Sequence, residues 1–538
     1  MAANLQFIRI RLIACYPLIK LFIKQQRNGP AVRVLYAMNI RPSEHITNTD
    51  LNSGLKLVIA DGLSAEAMVV FTSGTFLTAM AIHMGASNFQ LGMLAALPTF
   101  TTIFQLASIW LVQKFNNRKL ITSVFNLLAR LPLIAIGIMP LLFSGTTTIQ
   151  VLLILLFFQH IFGDIAGASW NSWMKDLIPG ERLGSFFSHR SRMAQTLNVT
   201  LSLATALCLD YVKTHYPSQE ITAYTTLFLA GGVLGMMSVF LLLKTPEPKP
   251  TPMDDKVFKL FSKSLKNKNF RNLLAFNSLW AFALNLATPF FAVFMMKTIG
   301  LPLSYVIGLG IISQLSSIAS LKLWGKYSDR FSNKTIISIC APLYITCILA
   351  FAFTAMPASG VTTLVMLFII HVVSGLSTAG INLALSNIGI KLAPKKEAIV
   401  YLSAKNMFVA LFSTIAPMMG GLMADFFAGN TLAWNIQLTG SKHMTINLLN
   451  LQGWNYFFII GGILAMLSLR LLAKVKEQGE THRARVVIHM RATFRNKLRR
   501  NIGREATNNL YSPTLAVRRQ VIKLFKANHT ATAYKKSA

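Results

Sequence analysis

Acidic residues are scarce in this chain, and charged residues of both signs are few for its length. The 538 residues include 18 Asp and Glu against 52 Lys and Arg, and charged residues form 13% of the total. A soluble domain carries about 25% charged residues. Because a charge at mid-bilayer costs about 2.5 kcal/mol or more, this deficit excludes an ordinary soluble protein and indicates surface that faces lipid.

Cysteine is also rare, and the sequence lacks the common catalytic and metal-binding motifs. None of the four cysteines forms a C-x-x-C or Cys/His metal spacing. The chain has no G-x-x-x-x-G-K-S/T phosphate loop, no H-E-x-x-H motif and no G-x-S-x-G motif. We therefore expect no metal site, no cofactor, no nucleotide-driven pumping by this chain alone and no enzyme activity.

Long apolar runs are abundant, and each is long enough to cross a bilayer. A helix needs about 20 residues to cross about 30 Å of hydrocarbon, whereas a barrel strand needs about 10 residues of strict alternation. These runs are too long and too uniformly apolar for a barrel, so they predict an all-α membrane protein with about twelve transmembrane helices. The expected helices cover residues 55–83, 89–112, 119–143, 150–173, 191–212, 221–243, 272–296, 303–324, 335–355, 361–386, 399–426 and 454–473.

Lys and Arg are concentrated in alternate connections between these helices. The connections GASN (85–88), SGTTT (144–148) and PASG (357–360) contain neither residue. Because Lys and Arg stay on the cytoplasmic side, both termini are expected to be cytoplasmic. We expect a multi-pass membrane protein, and the short loops favour a bacterial inner membrane. The basic connections contain Lys114, Arg118 and Lys119; Lys175, Arg182, Arg190 and Arg192; Lys326, Arg330 and Lys334; and Lys391, Lys395 and Lys396.

The two halves of the sequence resemble each other when one is shifted by about 215 residues. Six helices followed by six similar helices in the same orientation are parallel repeats, related by an axis along the membrane normal. We therefore expect an N-terminal bundle at 55–243 and a C-terminal bundle at 272–473. The matching landmarks are Gly85 with Gly300, Gly92 with Gly308, QKFNNR (113–118) with DRFSNK (329–334), and Leu177 and Pro179 with Leu392 and Pro394.

Three basic segments flank the two bundles. Residues 1–54 are expected to lie on the cytoplasmic membrane surface, and residues 244–271 form a Pro-rich linker followed by a short amphipathic helix. Residues 474–538 form a basic cytoplasmic tail. Because these basic residues border hydrophobic spans, anionic lipid headgroups are the expected partner and nucleic acid is not.

The loop GKYSDRFSNK (325–334) resembles the motif G-x-x-x-D-R-x-x-R/N-K of the major facilitator superfamily, which lies between the second and third helix of each half. The first half departs from the motif, since Gln113 stands in place of the acid and Ile109 in place of the glycine. The resemblance implies a secondary transporter that works by alternating access, with this loop as a gate on the inward side. The residues assigned to that gate are Gly325, Asp329, Arg330, Asn333, Lys334, Lys114 and Arg118.

Ionisable residues inside the expected spans are functional candidates, because their burial in lipid is costly. Asp61 and Glu66 are five residues apart, about 140° around a helix, and cannot share a face. Arg130 lies near mid-bilayer and needs an acid, which the fourth helix offers as Asp164. One hypothesis is that Asp61, Glu66 or Asp164 binds a proton coupled to transport, with Arg130 as charge partner. The alternative is a structural ion pair between Arg130 and Asp164.

Polar residues on other helices complete the expected substrate path. The stripes comprise His160, Asp164 and Asn171 on one face of the fourth helix, and His371 and Asn382 on the matching face of the tenth. The family builds its central cavity largely from helices 1, 4, 7 and 10. The resemblance therefore adds Asn277, Trp280 and Asn285 of the seventh helix to the path.

Together these patterns favour a monomeric secondary transporter of a small solute. A non-transporting receptor or scaffold, or a membrane-embedded enzyme that uses the two intramembrane histidines, stays open as an alternative. The charge of the solute is not decided, because Arg130 is compatible with an anion and the intramembrane acids with a cation.

Overall fold

The computed structural model describes most of the chain between its two ends. The described residues are 42–43, 46–142, 146–249, 265–355, 360–392, 398–427, 431–438, 444–477, 479–481, 483–492 and 495. Of the surface segment expected at 1–54, residues 1–41 lie outside this part, and residues 48–54 belong to the first helix. Linker residues 250–264, which hold most of the expected amphipathic helix, and the tail from residue 496 also lie outside it.

Twelve long helices follow one another along the described part of the chain. We call the ends that meet at the Lys- and Arg-rich connections the inner ends, and the opposite ends the outer ends. The helices are α1 (Asn48–His83), α2 (Asn88–Phe115), α3 (Arg118–Leu142), α4 (Thr146–Leu177), α5 (Gly180–His215), α6 (Glu220–Lys244), α7 (Lys268–Lys297), α8 (Leu303–Arg330), α9 (Asn333–Phe351), α10 (Gly360–Leu392), α11 (Ala398–Phe427) and α12 (Trp454–Ala473).

Eleven of these helices are long and apolar enough to cross a membrane, counting only the described residues. The exception is α5. Its inner third is polar, with Arg182, His189, Arg190 and Arg192 within thirteen residues of Gly180, and the apolar part is correspondingly short. The chain is therefore an integral, multi-pass membrane protein, and each expected span coincides with one helix.

Helices α1 and α7 are interrupted at equivalent positions. In α1, Ser73 adopts an extended conformation and Gly74 has φ of +60°, so the helix restarts at Gly74. In α7 the break falls at Thr288 and Pro289, 215 residues later. Pro289 has no N–H to donate to the preceding turn. The repeat read from the sequence therefore extends to the irregularities of the backbone.

The packing of the helices repeats in the same way. In the first half, α6 packs on α1 and α3, and α3 packs on α4; in the second half, α12 packs on α7 and α9, and α9 packs on α10. The halves meet where α2 packs on α11 and where α5 packs on α8. Gly85 and Gly300, the first matched pair of the repeat, have φ of +83° and +74°, a conformation that glycine adopts without strain.

A two-stranded antiparallel sheet lies between α11 and α12 and was not expected from the sequence. Strand β1 (Thr431–Leu438) pairs with β2 (Met444–Gln452), with Thr431 opposite Gln452. The membrane-spanning part is helical as predicted, and this hairpin is an addition in the connection between α11 and α12. The alternation of Leu432, Trp434 and Ile436 with smaller or polar residues is the period-two signal that could have identified β1.

We predict that Gly375→Ala lowers the thermal stability of the protein. A Cβ at Gly375 on α10 would lie 2.1 Å from the carbonyl oxygen of Ser313 on α8, and backbone atoms cannot move aside cheaply. Such overpacking costs about 1–3 kcal/mol. The matched control is Gly310→Ala on α8, where a Cβ would meet nothing within 4 Å. Melting curves in detergent should show a lower midpoint for the Gly375 variant alone.

Candidate functional site

A buried carboxylate and two arginines meet inside the first half. Asp61 on α1 accepts a hydrogen bond from Ser238 Oγ on α6 at 2.5 Å, and Arg190 Nη2 on α5 lies 3.9 Å from its second oxygen. Arg190 Nε also donates to the carbonyl of Val58 at 3.3 Å. Arg130 on α3 interacts electrostatically with the same carboxylate. We call Asp61, Arg130, Arg190 and Ser238 the Asp61 cluster.

Two glycines make room for the arginines of the Asp61 cluster. A Cβ at Gly62 would lie 2.4 Å from Arg190 Nε, and a Cβ at Gly235 would lie 2.8 Å from Arg130 Cδ. The guanidinium of Arg190 also lies over the ring of Trp170, 5.0 Å from its centroid. The cluster therefore depends on small residues that let long cationic side chains pass between helices.

Arg130 lies near Asp61 and not, as expected, near Asp164. Asp164 on α4 instead accepts hydrogen bonds from Thr101 Oγ1 at 2.6 Å and Gln105 Nε2 at 3.2 Å. Both partners flank the short 3₁₀ turn Thr102–Phe104 that interrupts α2. The position of this turn could not be read from the sequence, so neither could the side chains that it offers to Asp164.

The remaining candidates of the first half are less enclosed. Glu66 on α1 is half-buried and accepts a hydrogen bond from Asn198 Nδ2 on α5 at 2.7 Å. His160 is also half-buried, and its electrostatic partner is Asp164. Asn171 is exposed at the inner end of α4. Asp61 and Glu66 thus have separate partners, as their angular separation on α1 predicted.

Three of the five candidates in the second half line one cavity. Asn277, Trp280 and Asn382 lie around a space of about 280 Å³ between α7, α10 and α11, together with Lys405. Asn285 lies elsewhere and donates to Ser413 Oγ at 3.2 Å.

His371, the fifth candidate of the second half, does not line that cavity. Its Nδ1 is bonded to the carbonyl of Leu367 at 2.8 Å, and its ring packs against Phe351. The structure thus gives His371 a role in the packing of α10.

Carboxylates cap the inner ends of α3 and α9 in equivalent ways. Glu247, just after α6, accepts the backbone N–H groups of Arg118 at 2.7 Å and Lys119 at 3.1 Å. Glu477, just after α12, accepts those of Asn333 at 3.2 Å and Lys334 at 2.7 Å. Each acid therefore ties the end of its half to the third helix of the same half.

The Arg118 side chain adds to the first of these caps. Its Nε lies 3.3 Å from Glu247, and its Nη1 lies 2.5 Å from Asp176 on α4. Burial raises the pKa of Glu247, while the two backbone amides and the Arg118 guanidinium act in the opposite direction. Arg118 was expected on the gating loop, and the structure places it in a buried network within one half.

The expected gating loop of the second half is also held within that half. Arg330 Nη1 lies 3.0 Å from His489 Nε2, and Lys334 Nζ lies 2.8 Å from Glu480. Gly325 lies within α8, half-buried, and the side chain of Asp329 lies outside what the structure describes. In the first half, Lys114 Nζ lies 4.8 Å from the centroid of Trp110.

Two further carboxylates join the halves at their outer ends. Asp210 near the end of α5 accepts the backbone N–H groups of Leu303 at 3.0 Å and Ser304 at 2.8 Å, at the start of α8. We call this contact the α5–α8 clasp.

The second contact is the equivalent one between α11 and α2. Asp425 near the end of α11 accepts the backbone N–H groups of Asn88 at 3.2 Å and Phe89 at 2.9 Å, at the start of α2. We call it the α11–α2 clasp. All three positions are shifted by 215 residues from their counterparts. Neither acid was a candidate from the sequence, although applying the repeat shift to the few Asp residues would have paired them.

Comparisons with known proteins agree with this architecture. A model of the Major Facilitator Superfamily matches residues 62–417. A search of curated proteins finds no match. Among solved structures, the nucleoside transporter NupG is 13% identical with a TM-score of 0.59, and the match covers 80% of this chain and 100% of that one.

Two structures described as inward-open or inward-facing are also similar. The xylose transporter XylE from E. coli is 13% identical with a TM-score of 0.53, covering 80% of this chain and 97% of that one. A bacterial homologue of the human lysosomal transporter Spinster is 16% identical with a TM-score of 0.54, covering 80% and 98%. At these identities the likeness shows a common fold. Because the family model spans more than half of the sequence, the chain belongs to the Major Facilitator Superfamily and is a secondary transporter rather than an enzyme.

Proposed function

We propose that the two bundles, 55–243 and 272–473, rock against each other to move a small solute, and that this structure is the state closed at the outer ends. The observation that carries the proposal is the pair of clasps. Asp210 and Asp425 each bind the opposite half, at positions related by the internal repeat. A transporter with parallel repeats closes one side by such symmetric contacts.

The strength of the clasps suits a reversible gate. A carboxylate at a helix N-terminus contributes about 0.3–2 kcal/mol. Lys297 Nζ adds a bond to the carbonyl of Ala86 at 3.3 Å across the same interface. A closed state stabilised by a few kcal/mol can be reversed by a ligand with comparable differential affinity for the two states.

The inner caps support movement of the halves as units. Glu247 and Glu477 bind within their own halves, so they resist deformation of each bundle without opposing rotation between the bundles. Backbone amides at a buried helix end need such partners in either conformation. We therefore assign Arg118, Asn333 and Lys334 to bundle integrity rather than to a latch between halves.

We propose Glu66 as the group that carries a coupled proton. Asp61 already accepts a hydrogen bond from Ser238 and lies beside Arg190 and Arg130. Glu66 is half-buried, and its described partner is the neutral amide of Asn198. Asp164 already accepts two hydrogen bonds beside the interruption of α2.

The concentration of Lys and Arg at the inner ends supports the remaining assignments. We propose that all twelve helices cross the membrane, α5 included, with both termini in the cytoplasm. The basic flanking segments then contact anionic headgroups, and the protein works as a monomer in a bacterial inner membrane, for which the short connections are the support. The polar cavity between α7, α10 and α11 favours transport over a scaffold role, because a scaffold has no need of unfilled polar space.

We predict that Asp210→Asn combined with Asp425→Asn opens the outer ends. Removing both charges from the helix N-termini should cost the closed state about 2 kcal/mol, which is about a 30-fold change in the population ratio. Spin labels at Leu142 and Val361, exposed at the outer ends of α3 and α10, report the opening as a longer distance by pulsed electron resonance. Cys15 and Cys208 are first replaced by Ser to restrict labelling.

The matched control is Glu220→Gln at the same outer end. Glu220 pairs with His83 at 3.3 Å inside the first half, so its neutralisation should leave the inter-half distance unchanged. A distance distribution in the double Asp variant that matches the parent would contradict the gate.

We also predict that Glu66→Gln removes the pH dependence of the same outer distance. The amide of Gln mimics the protonated carboxyl and cannot exchange a proton, so the equilibrium should not respond to pH. Asp164→Asn should retain the pH dependence. Asp61→Asn should instead lower the melting temperature. Removing the carboxylate leaves the buried Arg130 without its charge partner, which costs about 3–5 kcal/mol. Persistence of the full pH response in the Glu66 variant excludes this residue as the proton carrier.

A further inference from the structure

The cavity in the second half contains a lysine that no sequence argument singled out. Lys405 on α11 lines it beside Asn277 and Trp280 of α7 and Asn382 of α10. A Cβ at Gly389 would lie 3.2 Å from Lys405 Nζ, so the absence of a side chain there leaves room for the ammonium group. The described partner of that group is the carbonyl of Leu385 at 3.2 Å, which carries no charge.

Among the described residues of the helices around this cavity, Lys405 has no counter-ion. Along α7 and α10 the sequence has no Asp or Glu, and along α11 its only acid is Asp425. Asp425 lies 20 residues from Lys405, about 30 Å along the helix, and is bound in the α11–α2 clasp. A half-buried cation without a counter-ion is costly. An anion bound beside Lys405 would offset that cost.

An unpaired amide lies beside the lysine. Asn277 is 4% exposed, and neither its Nδ2 nor its Oδ1 has a hydrogen-bond partner among the described residues. A buried amide without partners costs about 1–3 kcal/mol. Its donor and its acceptor are thus available to a ligand, and the edge of the largely buried Trp280 lines the same cavity.

We propose that this cavity binds the transported solute, and that the solute is a small organic carboxylate with one negative charge and a hydrogen-bonding group on an apolar body. This inference rests on the proposed transport function. Lys405 pairs with the carboxylate, Asn277 with the polar group, and Trp280 and Val409 with the body. The volume of about 280 Å³ lies at the small end of ligand pockets.

The same charges exclude other ligand classes. No carboxylate lines the described cavity, so an amine or the ammonium group of an amino acid would be buried without a partner. A dianionic phosphate ester would leave one charge uncompensated beside a single lysine. Either arrangement costs more than a monocarboxylate, whose one charge is matched.

The test uses thermal shifts of the purified full-length protein with four probes of one size. Benzoate and 4-hydroxybenzoate carry the proposed charge, benzylamine carries the opposite charge, and phenyl phosphate carries two negative charges. We expect 4-hydroxybenzoate to raise the melting temperature most, benzoate less, and the other two not at all, because only a ligand that prefers the folded state stabilises it.

Variants assign the effect to the cavity. Lys405→Gln should weaken 4-hydroxybenzoate binding at least tenfold in titration calorimetry, and Lys405→Arg should retain most of it. Asn277→Leu should reduce the preference for 4-hydroxybenzoate over benzoate. The matched control Lys322→Gln removes an exposed cation of α8 outside the cavity and should bind as the parent does.

Several outcomes overturn the proposal. These are stabilisation by benzylamine or phenyl phosphate instead, no shift with either carboxylate, or unchanged affinity in Lys405→Gln. The outer-distance measurement separates this failure from failure of the transport mechanism. If the clasp variants still open the outer ends while carboxylates do not bind, alternating access stands and only the solute class is wrong.

Discussion

Carboxylates that accept the first backbone N–H groups of a helix are the interaction on which this fold depends. Every helix leaves such groups without partners, and in lipid no water can satisfy them. With only 18 acids in the chain, four are placed at helix starts: Glu247 and Glu477 within a half, Asp210 and Asp425 between halves. The first pair holds the bundles rigid, and the second pair holds them together at one end.

This division gives a mechanical reason for two-state behaviour. A bundle whose third helix is anchored by a buried acid moves as a body, since any internal shift would uncover backbone amides. The clasps between halves are nearer the surface, where water can replace the carboxylate when the ends separate. Rupture there exposes few groups, so we infer that the contacts at the inner ends persist while those at the outer ends can break and re-form.

Glycine sets how closely the halves approach beneath the clasps. A Cβ at Gly92 would lie 2.2 Å from the carbonyl of Pro417, and one at Gly421 would lie 2.4 Å from that of Asn88. Helices α2 and α11 thus touch through backbone, as helices in lipid do when small residues face each other. Pro417 and Gly421 belong to the segment APMMGG (416–421) of α11, which packs against the start of α2 in this way.

The sequence was sufficient to predict the helices and the internal repeat, because both follow from the need to bury apolar residues in lipid. Apolar length located every helix, and the shift of 215 residues predicted equivalent backbone at Gly85 and Gly300. The sequence was insufficient to identify which side chains pair across helices. Arg130 needed an acid, but the choice between Asp61 and Asp164 depends on how α2, α3 and α6 rotate about their axes. Periodicity gives the faces of each helix, not which neighbour a face meets.

The same limit explains why the sequence did not single out Lys405, the residue that we propose pairs with the cargo. In sequence it is one of 52 basic residues, seven positions from the inner end of α11, where Lys is ordinary. Only the packing of α7 and α10 shows that it lies beside an unpaired amide rather than in solvent. In the first half, Arg130 and Arg190 both lie near the Asp61 carboxylate. On our proposal, the Lys405 charge in the second half is the one that a solute pairs with.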